Sequence, residues 1–303
     1  MTRPEPEHLK FERTFRMPGI EADRLFEALT EPRHVQVWLA SGVRIEPKIG
    51  GPYAFWGPSV PFCPSEREAT QRVTEVGERS IAFRWRWRAL DSLVRLCAAP
   101  ASGGAELRIV HEGTGRLVER ERASVWFVTD FWRLACGNLH QYLRTGEPAI
   151  MPDFTDPHSG VLLSVVIEAP ASRVFESLTE PGVMDRWISM KARVEPRVGG
   201  VYAYGWVMED GHGRSEEVGP QRIRRMERDR LLVTDWHYSA DGRVSEVEWR
   251  LEPLGESRTR LTLRHEGMRD EADNRAGYRG GWTSFLVELK IFLETGVVER
   301  TPV

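Results

Sequence analysis

Cysteine is scarce in this chain of 303 residues. The three that occur, Cys63, Cys97 and Cys136, lie far apart, which excludes a disulfide framework and the close cysteine pairs of a zinc or redox site. An excess of charge of either sign is also missing: 42 basic residues stand against 45 acidic ones, for a formal charge of −3. No global field is available to hold nucleic acid or an anionic membrane, and neither is expected as a partner. No segment approaches the roughly 20 apolar residues of a membrane span. The run from Met1 to His8 holds no apolar stretch that would act as a signal peptide, so the expected location is the cytoplasm. Lysine is rare too, limited to Lys10, Lys48, Lys191 and Lys290, a bias first attributed to a GC-rich genome. The sequence has no phosphate-cradling glycine loop, no paired-histidine metal spacing and no Gly-x-Ser-x-Gly elbow, so neither a metal nor a cofactor is expected.

What the chain does have is an internal repeat. Leu29 to Tyr53 reads LTEPRHVQVWLASGVRIEPKIGGPY, and Leu178 to Tyr202 reads LTEPGVMDRWISMKARVEPRVGGVY. Eleven of these twenty-five positions are identical at a constant offset of 149, where chance gives about one or two. Leu107–Gly113 answers Leu261–Gly267, and Leu143–Gly146 answers Leu293–Gly296, so one domain is written twice. The expected boundaries are a first domain over 1–147, a stiff Pro-rich linker over 148–158 and a second domain over 159–303.

Each copy gives the same element order. A strand (Lys10–Arg16; Leu162–Glu168) leads into a helix whose apolar residues recur at i, i+3, i+4 and i+7: Ala22, Leu25, Phe26 and Leu29, or Ala171, Val174, Phe175 and Leu178. Pro32 and Pro181 break that helix and start a second, short one. Period-two strands follow. In Ile81–Arg88, Phe83, Trp85 and Trp87 share one face and Arg84, Arg86 and Arg88 the other, which separates stacking from phosphate contact and disfavours single-stranded nucleic acid. A long apolar helix closes each copy, giving an α+β domain with a helix across the concave face of an antiparallel sheet.

The series of Leu-Thr-Glu-Pro, a Trp six residues after that Pro, Glu-Pro, Gly-Gly-x-Tyr, a strand ending in His-Glu-Gly and a last helix opening with Gly281-Trp282 resembles the START/SRPBCC superfamily. Within it, the resemblance is to the branch similar to activators of heat-shock-protein ATPase. It covers nearly all of both halves and is more specific in the second. The first copy departs from it at Pro58, Pro61 and Pro64, and has Asp130-Phe131 where the second has Gly280-Gly281. The resemblance implies two tandem helix-grip domains, each with a hydrophobic cavity, in a family that mostly binds lipids or polyketide-like molecules. A minority of its members catalyse cyclisation or aromatisation.

Eleven Trp, six Tyr and twelve Phe exceed what two small sheets need. The expected ligand-binding residues in the second copy are Trp187, Tyr202, Tyr204, Trp206, Trp236, Tyr238, Trp249, His265, Tyr278, Trp282, Phe285, Leu286 and Leu289. In the first they are Trp38, Tyr53, Phe55, Trp85, Trp87, His111 and Trp132. Their ring faces would stack on a flat conjugated molecule. His111 and His265 lie on the apolar faces of equivalent strands, where an imidazole is either a proton shuttle or a satisfied structural group. The glycine-rich stretch Met268–Gly281 is expected as a lid loop that swings Tyr278 over the cavity mouth.

The leading expectation is a protein that holds a hydrophobic aromatic natural product, polyketide or enediyne-type, for sequestration, self-resistance or biosynthetic hand-over. The second domain is expected to be the working one, and a homodimer is left open. A didomain polyketide cyclase or aromatase using His265 with Tyr278, or His111 with Arg95, is the alternative. A chaperone-associated module is the third.

Overall fold

The computed structural model describes residues 8–88, 90–116, 123–209, 215–238 and 242–298; the side chains of 87, 115–116, 123–125 and 208–209 also lie outside that description. The chain divides into two compact units, Met1–Asp156 and Pro157–Val303. The first runs β1 (His8–Pro18), α1 (Ala22–Thr30), α2 (Pro32–Trp38), β2 (Gly42–Ile45), β3 (Tyr53–Trp56), β4 (Arg72–Val76), β5 (Ser80–Trp87), β6 (Leu90–Ala101), β7 (Gly104–Arg116) and α3 (Ala123–Thr145). The second runs β8 (Val161–Ile167), α4 (Ala171–Thr179), α5 (Pro181–Met184), β9 (Arg193–Val194), β10 (Tyr202–Ala203), β11 (Trp206–Glu209), β12 (Ser215–Val218), β13 (Ile223–Glu227), β14 (Leu231–His237), β15 (Val244–Pro253), β16 (Thr259–Glu266) and α6 (Ala272–Thr295).

Both are α+β, each with a five-stranded antiparallel sheet in the same order: β1-β7-β6-β5-β4 and β8-β16-β15-β14-β13. The period-two pattern selects the faces. In β7 the apolar Leu107 and Ile109 and the imidazole of His111 point in, while Arg108 and Glu112 point out and pair with Glu12 and Lys10 across β1. Trp85 likewise points in and Arg84 and Arg86 out, but Arg88 leaves the strand with φ 56° and lays its guanidinium 4.6 Å from the Phe62 ring centroid. Cys63 and Cys136 are buried as small apolar groups, and Cys97 is exposed.

Pro32 and Pro181 take the first turn of α2 and α5, where a missing N–H removes no helical bond. Each short helix then delivers a tryptophan that ties it to the helix before it: the Trp38 indole donates to the Ala28 carbonyl at 3.0 Å, and Trp187 to Ser177 at 2.9 Å. The hydroxyls of Tyr53 and Tyr202 donate to Leu29 and Leu178 at 2.6 and 2.7 Å. Each such bond contributes about 1 kcal/mol. These four residues build the scaffold in the same way twice.

One expectation is corrected. The last helix begins at Ala272, not Gly281, so Gly277, Gly280 and Gly281 are helical and Met268–Gly281 is no lid loop. An amphipathic helix docked on a sheet gains enough from packing to override the low helical propensity of glycine. In the first domain α3 begins at Ala123, and part of the matching stretch, 117–122, lies outside the described residues. The Pro-rich segment is tied to the first domain over part of its length. Asn138 of α3 accepts from Ala149 and Ile150 N–H at 3.0 and 3.2 Å and donates to the Ile150 carbonyl at 2.8 Å, while Phe154 N–H reaches Pro58 O at 2.7 Å.

Candidate functional site

The two histidines are held identically. In the first domain the Trp132 indole on α3 donates to His111 Nδ1 at 3.0 Å, His111 Nε2 lies 2.7 Å from Ser92 Oγ, and that hydroxyl donates to the Trp85 carbonyl at 2.7 Å. In the second, the Trp282 indole on α6 donates to His265 Nδ1 at 2.9 Å and Nε2 lies 2.8 Å from Ser245 Oγ. An indole N–H can only donate, so Nδ1 is the acceptor and the proton resides on Nε2. Each ring is therefore a neutral imidazole with both nitrogens engaged. Burial drives both histidines down to about 3, the direction in which desolvation moves a cationic acid. A base of that strength, with its lone pair already committed, abstracts no proton at neutral pH. Each histidine is a clamp that fastens the long helix to neighbouring strands. Ser92 and Ser245 were missed in the sequence, although they stand at matching places of the repeat.

Around each clamp lies a cluster of rings. In the first domain Phe131 of α3 stacks on Phe55 (centroids 6.2 Å apart, planes at 8°) and meets Trp85 edge-on at 5.3 Å and Trp132 at 5.1 Å. Phe55, Trp85, Phe131 and Trp132 are all buried. The side chain of Trp87 lies outside the described residues. In the second domain Tyr204, Trp236, Trp249, Trp282 and His265 are buried, as are Leu286 and Leu289, whereas Trp206, Tyr278 and Phe285 are only half-buried. Tyr278 stands edge-on to His265 at 4.9 Å, and Trp206 stacks on Phe285 at 5.5 Å with planes at 24°. Tyr238 does not join them. It follows the last residue of β14 and is 39% exposed, because strand parity ends where the strand ends.

Two indole donors of the second cluster, Trp236 Nε1 and Trp249 Nε1, are buried with no hydrogen-bond partner. Burying an unmet donor costs about 1–3 kcal/mol, and the edge-on contacts of Trp249 with Trp187 and Trp282 return only the weak attraction of an N–H over a ring.

Among the described residues, neither cluster lines an open hollow of the size expected. Two surface notches of about 10 Å³ each have room for about one water. One lies among Arg186, Trp187, Glu288, Ile291, Phe292, Val297 and Val298, the other among Trp38, Leu39, Ser59, Phe131, Leu134, Ala135, Asn138, Met151 and Pro152. Neither is lined by a clamp residue. The rings fill the space between sheet and helix by packing on one another, as expected of close-packed interiors. Among the described residues, no group of three or more His, Cys, Asp or Glu is arranged to hold a metal ion, and no helix is long and apolar enough to cross a membrane.

The profile of the family described as "Activator of Hsp90 ATPase homolog 1-like protein" matches residues 20–144 and 168–294. Among solved structures, the chain is similar to DynU16, described as a putative protein in the dynemicin biosynthetic locus: 19% identity, 93% of this chain and 97% of that one, TM-score 0.38. It is similar to CalU16 from Micromonospora echinospora at 26% identity, over 47% of this chain and 77% of that one, with a TM-score of 0.36. It is also similar to an HSP90 activator from Plasmodium falciparum at 19% identity, over 44% of this chain and 95% of that one, with a TM-score of 0.35. No curated protein matches.

Proposed function

The chain belongs to the activator of Hsp90 ATPase homolog 1-like family, in two tandem helix-grip copies, and on that premise we propose that its second domain binds a flat, hydrophobic, oxygen-bearing small molecule of the aromatic polyketide kind. The observation that carries this reading is the pair of unpartnered indole donors, Trp236 Nε1 and Trp249 Nε1, set among ring faces. A pure packing core has no use for buried N–H groups without acceptors; a carbonyl or phenol oxygen brought in by a ligand would satisfy them while its rings stack on theirs. The half-buried margin of Trp206, Tyr278 and Phe285 supports the second domain over the first, where Phe55, Trp85, Phe131 and Trp132 are all buried.

The role is holding or hand-over rather than cyclisation. His265, the base a cyclase would need, is neutral and bonded through both nitrogens to Trp282 and Ser245, and His111 is engaged in the same way with Trp132 and Ser92. The test is a titration of the intact chain with quinizarin, a flat dihydroxyquinone, followed through tryptophan emission. Saturable quenching at one molecule per chain is the expected result. Quenching that rises linearly without saturation overturns the proposal. Native mass spectrometry of freshly purified chain would then look for the natural occupant.

A further inference from the structure

The two ring clusters fill one equivalent slot from opposite sides. In the first domain, the ring packed against Phe55 and Trp85 is Phe131, carried by α3 next to the clamp residue Trp132. By the repeat, Phe55 corresponds to Tyr204, Trp85 to Trp236, Trp132 to Trp282, and Phe131 to Gly281. The helix of the second domain therefore brings no ring to that slot. Trp206 occupies it instead, 5.0 Å from Tyr204 and 5.9 Å from Trp236, with its indole lying on Phe285.

Trp206 reaches the slot from a weak element. It opens β11, which pairs with β12 as a two-stranded sheet; the ribbon meets the five-stranded sheet at its root, where Gly219 is bridged to His237 of β14 by backbone hydrogen bonds of 2.9 and 2.8 Å. A ribbon of that kind is at best marginally stable by itself. Both of its roots are glycines in the left-handed region, Gly205 at φ 71° and Gly219 at φ 97°. A side chain is strained at either position, so both joints are free of the torsional restriction that a Cβ imposes. The corresponding residues of the first domain appear in reverse order. There Trp56 comes first and packs against Gly42, and Gly57 follows, so no indole enters the core from that side. One hydrogen bond, Trp206 Nε1 to Ile188 O at 3.0 Å, and its ring contacts hold the indole in place.

We propose that Trp206 is a displaceable plug: it sits where a flat aromatic ligand of two or three fused rings binds, and the ligand takes its place on Phe285, Tyr204 and Trp236 as β11–β12 swings out on Gly205 and Gly219. This inference rests on the reading of the second domain as a small-molecule site and locates the entrance to it. Displacement breaks the indole bond to Ile188 O, the Gly219 N–H bond to His237 O and the exposed Arg193–Glu217 ion pair, and returns these groups to water. The incoming rings recover the stacking, and ligand oxygens meet Trp236 and Trp249. The first domain has no such exchange, since Phe131 leaves only if α3 unwinds beside its clamp.

Equilibrium dialysis of quinizarin against the intact chain tests this with two variants. Trp206→Ala removes the competitor, so the dissociation constant should fall by roughly tenfold or more, with faster association. Gly281→Phe installs the first domain's fixed ring and should abolish binding. A wild-type chain that binds quinizarin, with Trp206→Ala no tighter and Gly281→Phe undiminished, overturns the plug and leaves the small-molecule reading standing. No binding by either the wild-type chain or Trp206→Ala overturns both. Amide exchange on the unmodified chain gives a measurement that needs no variant to fold. The amides of Trp206–Glu209 and Ser215–Val218 should exchange at least roughly a hundredfold faster than those of Leu231–His237, and equal protection of ribbon and sheet refutes the plug.

Discussion

Acidification should weaken the first domain more than the second. Burial holds His111 and His265 down to about 3, and it pulls His140 down to about 4 with help from the Arg144 charge. In the unfolded chain each titrates near its ordinary value of about 6.5. The folded value lies below the unfolded one, so the native state binds fewer protons; the stability is complete above about pH 6.5 and is lost as pH falls toward 3. Integrated from pH 7 to pH 5, each histidine withdraws about 2 kcal/mol. Among the described residues, the first domain holds two such groups, His111 and His140, and loses about 4 kcal/mol; the second holds one and loses about 2. Carboxylates stay ionised over this range and add little. Urea unfolding of the full chain at pH 7, 6 and 5, followed by amide-exchange mass spectrometry, resolves the domains. His140→Gln, which leaves the clamp intact, should bring the slope of the first domain down to that of the second. Equal slopes in the wild-type chain, or an unchanged slope in His140→Gln, would refute the reasoning.

Three further outcomes follow from the same geometry. Ser245→Ala leaves the His265 Nε2 proton buried without an acceptor, and urea midpoints should report a loss of about 1–3 kcal/mol in the second domain. Trp236→Phe removes one unmet donor. Dialysis should show quinizarin weakened by roughly tenfold and anthracene, which has no oxygen, unchanged; equal weakening of both would refute a hydrogen-bonding role. Phe131→Ala should cost about 3–5 kcal/mol, as a buried phenyl does. Trp206→Ala should cost under about half of that by the same urea assay, because its slot opens to water.

The duplication, the short helices and most inward strand faces were legible in the sequence, since each depends on local identity or periodicity; the start of the last helix and the place of Tyr238 were not. Pro32 and Pro181 announced the short helices, and the apolar neighbours of His111 and His265 placed both imidazoles inside. What local pattern does not encode is satisfaction. Ser92 and Ser245 are unremarkable letters until the fold sets them beside an imidazole nitrogen. Whether an indole such as Trp236 finds an acceptor is decided by strands and helices distant in sequence. Gly280-Gly281 misled for a related reason: the pair signals a hinge locally, while docking against the sheet makes it helix. The most informative difference was visible but unread: Trp56-Gly57 in one copy against Gly205-Trp206 in the other.

That exchange of neighbours explains why one scaffold gives two unlike cores. The clamp is common to both, since a neutral histidine bonded to a helix tryptophan and a strand serine fastens the last helix whatever fills the rest. The remaining slot is filled in both domains: emptying the sealed slot of the first costs several kcal/mol, and emptying the slot of the second, which opens to water, about half of that or less. A ring on the helix fills it permanently, for it leaves only with its backbone. A ring on a two-stranded ribbon fills it conditionally, held by one carbonyl bond and by contacts with three rings, one of them stacked, that a ligand can make equally well. Moving the indole by one residue, with glycine taking its place at the root of the ribbon, therefore changes the slot from structural core to exchangeable site without altering the fold around it.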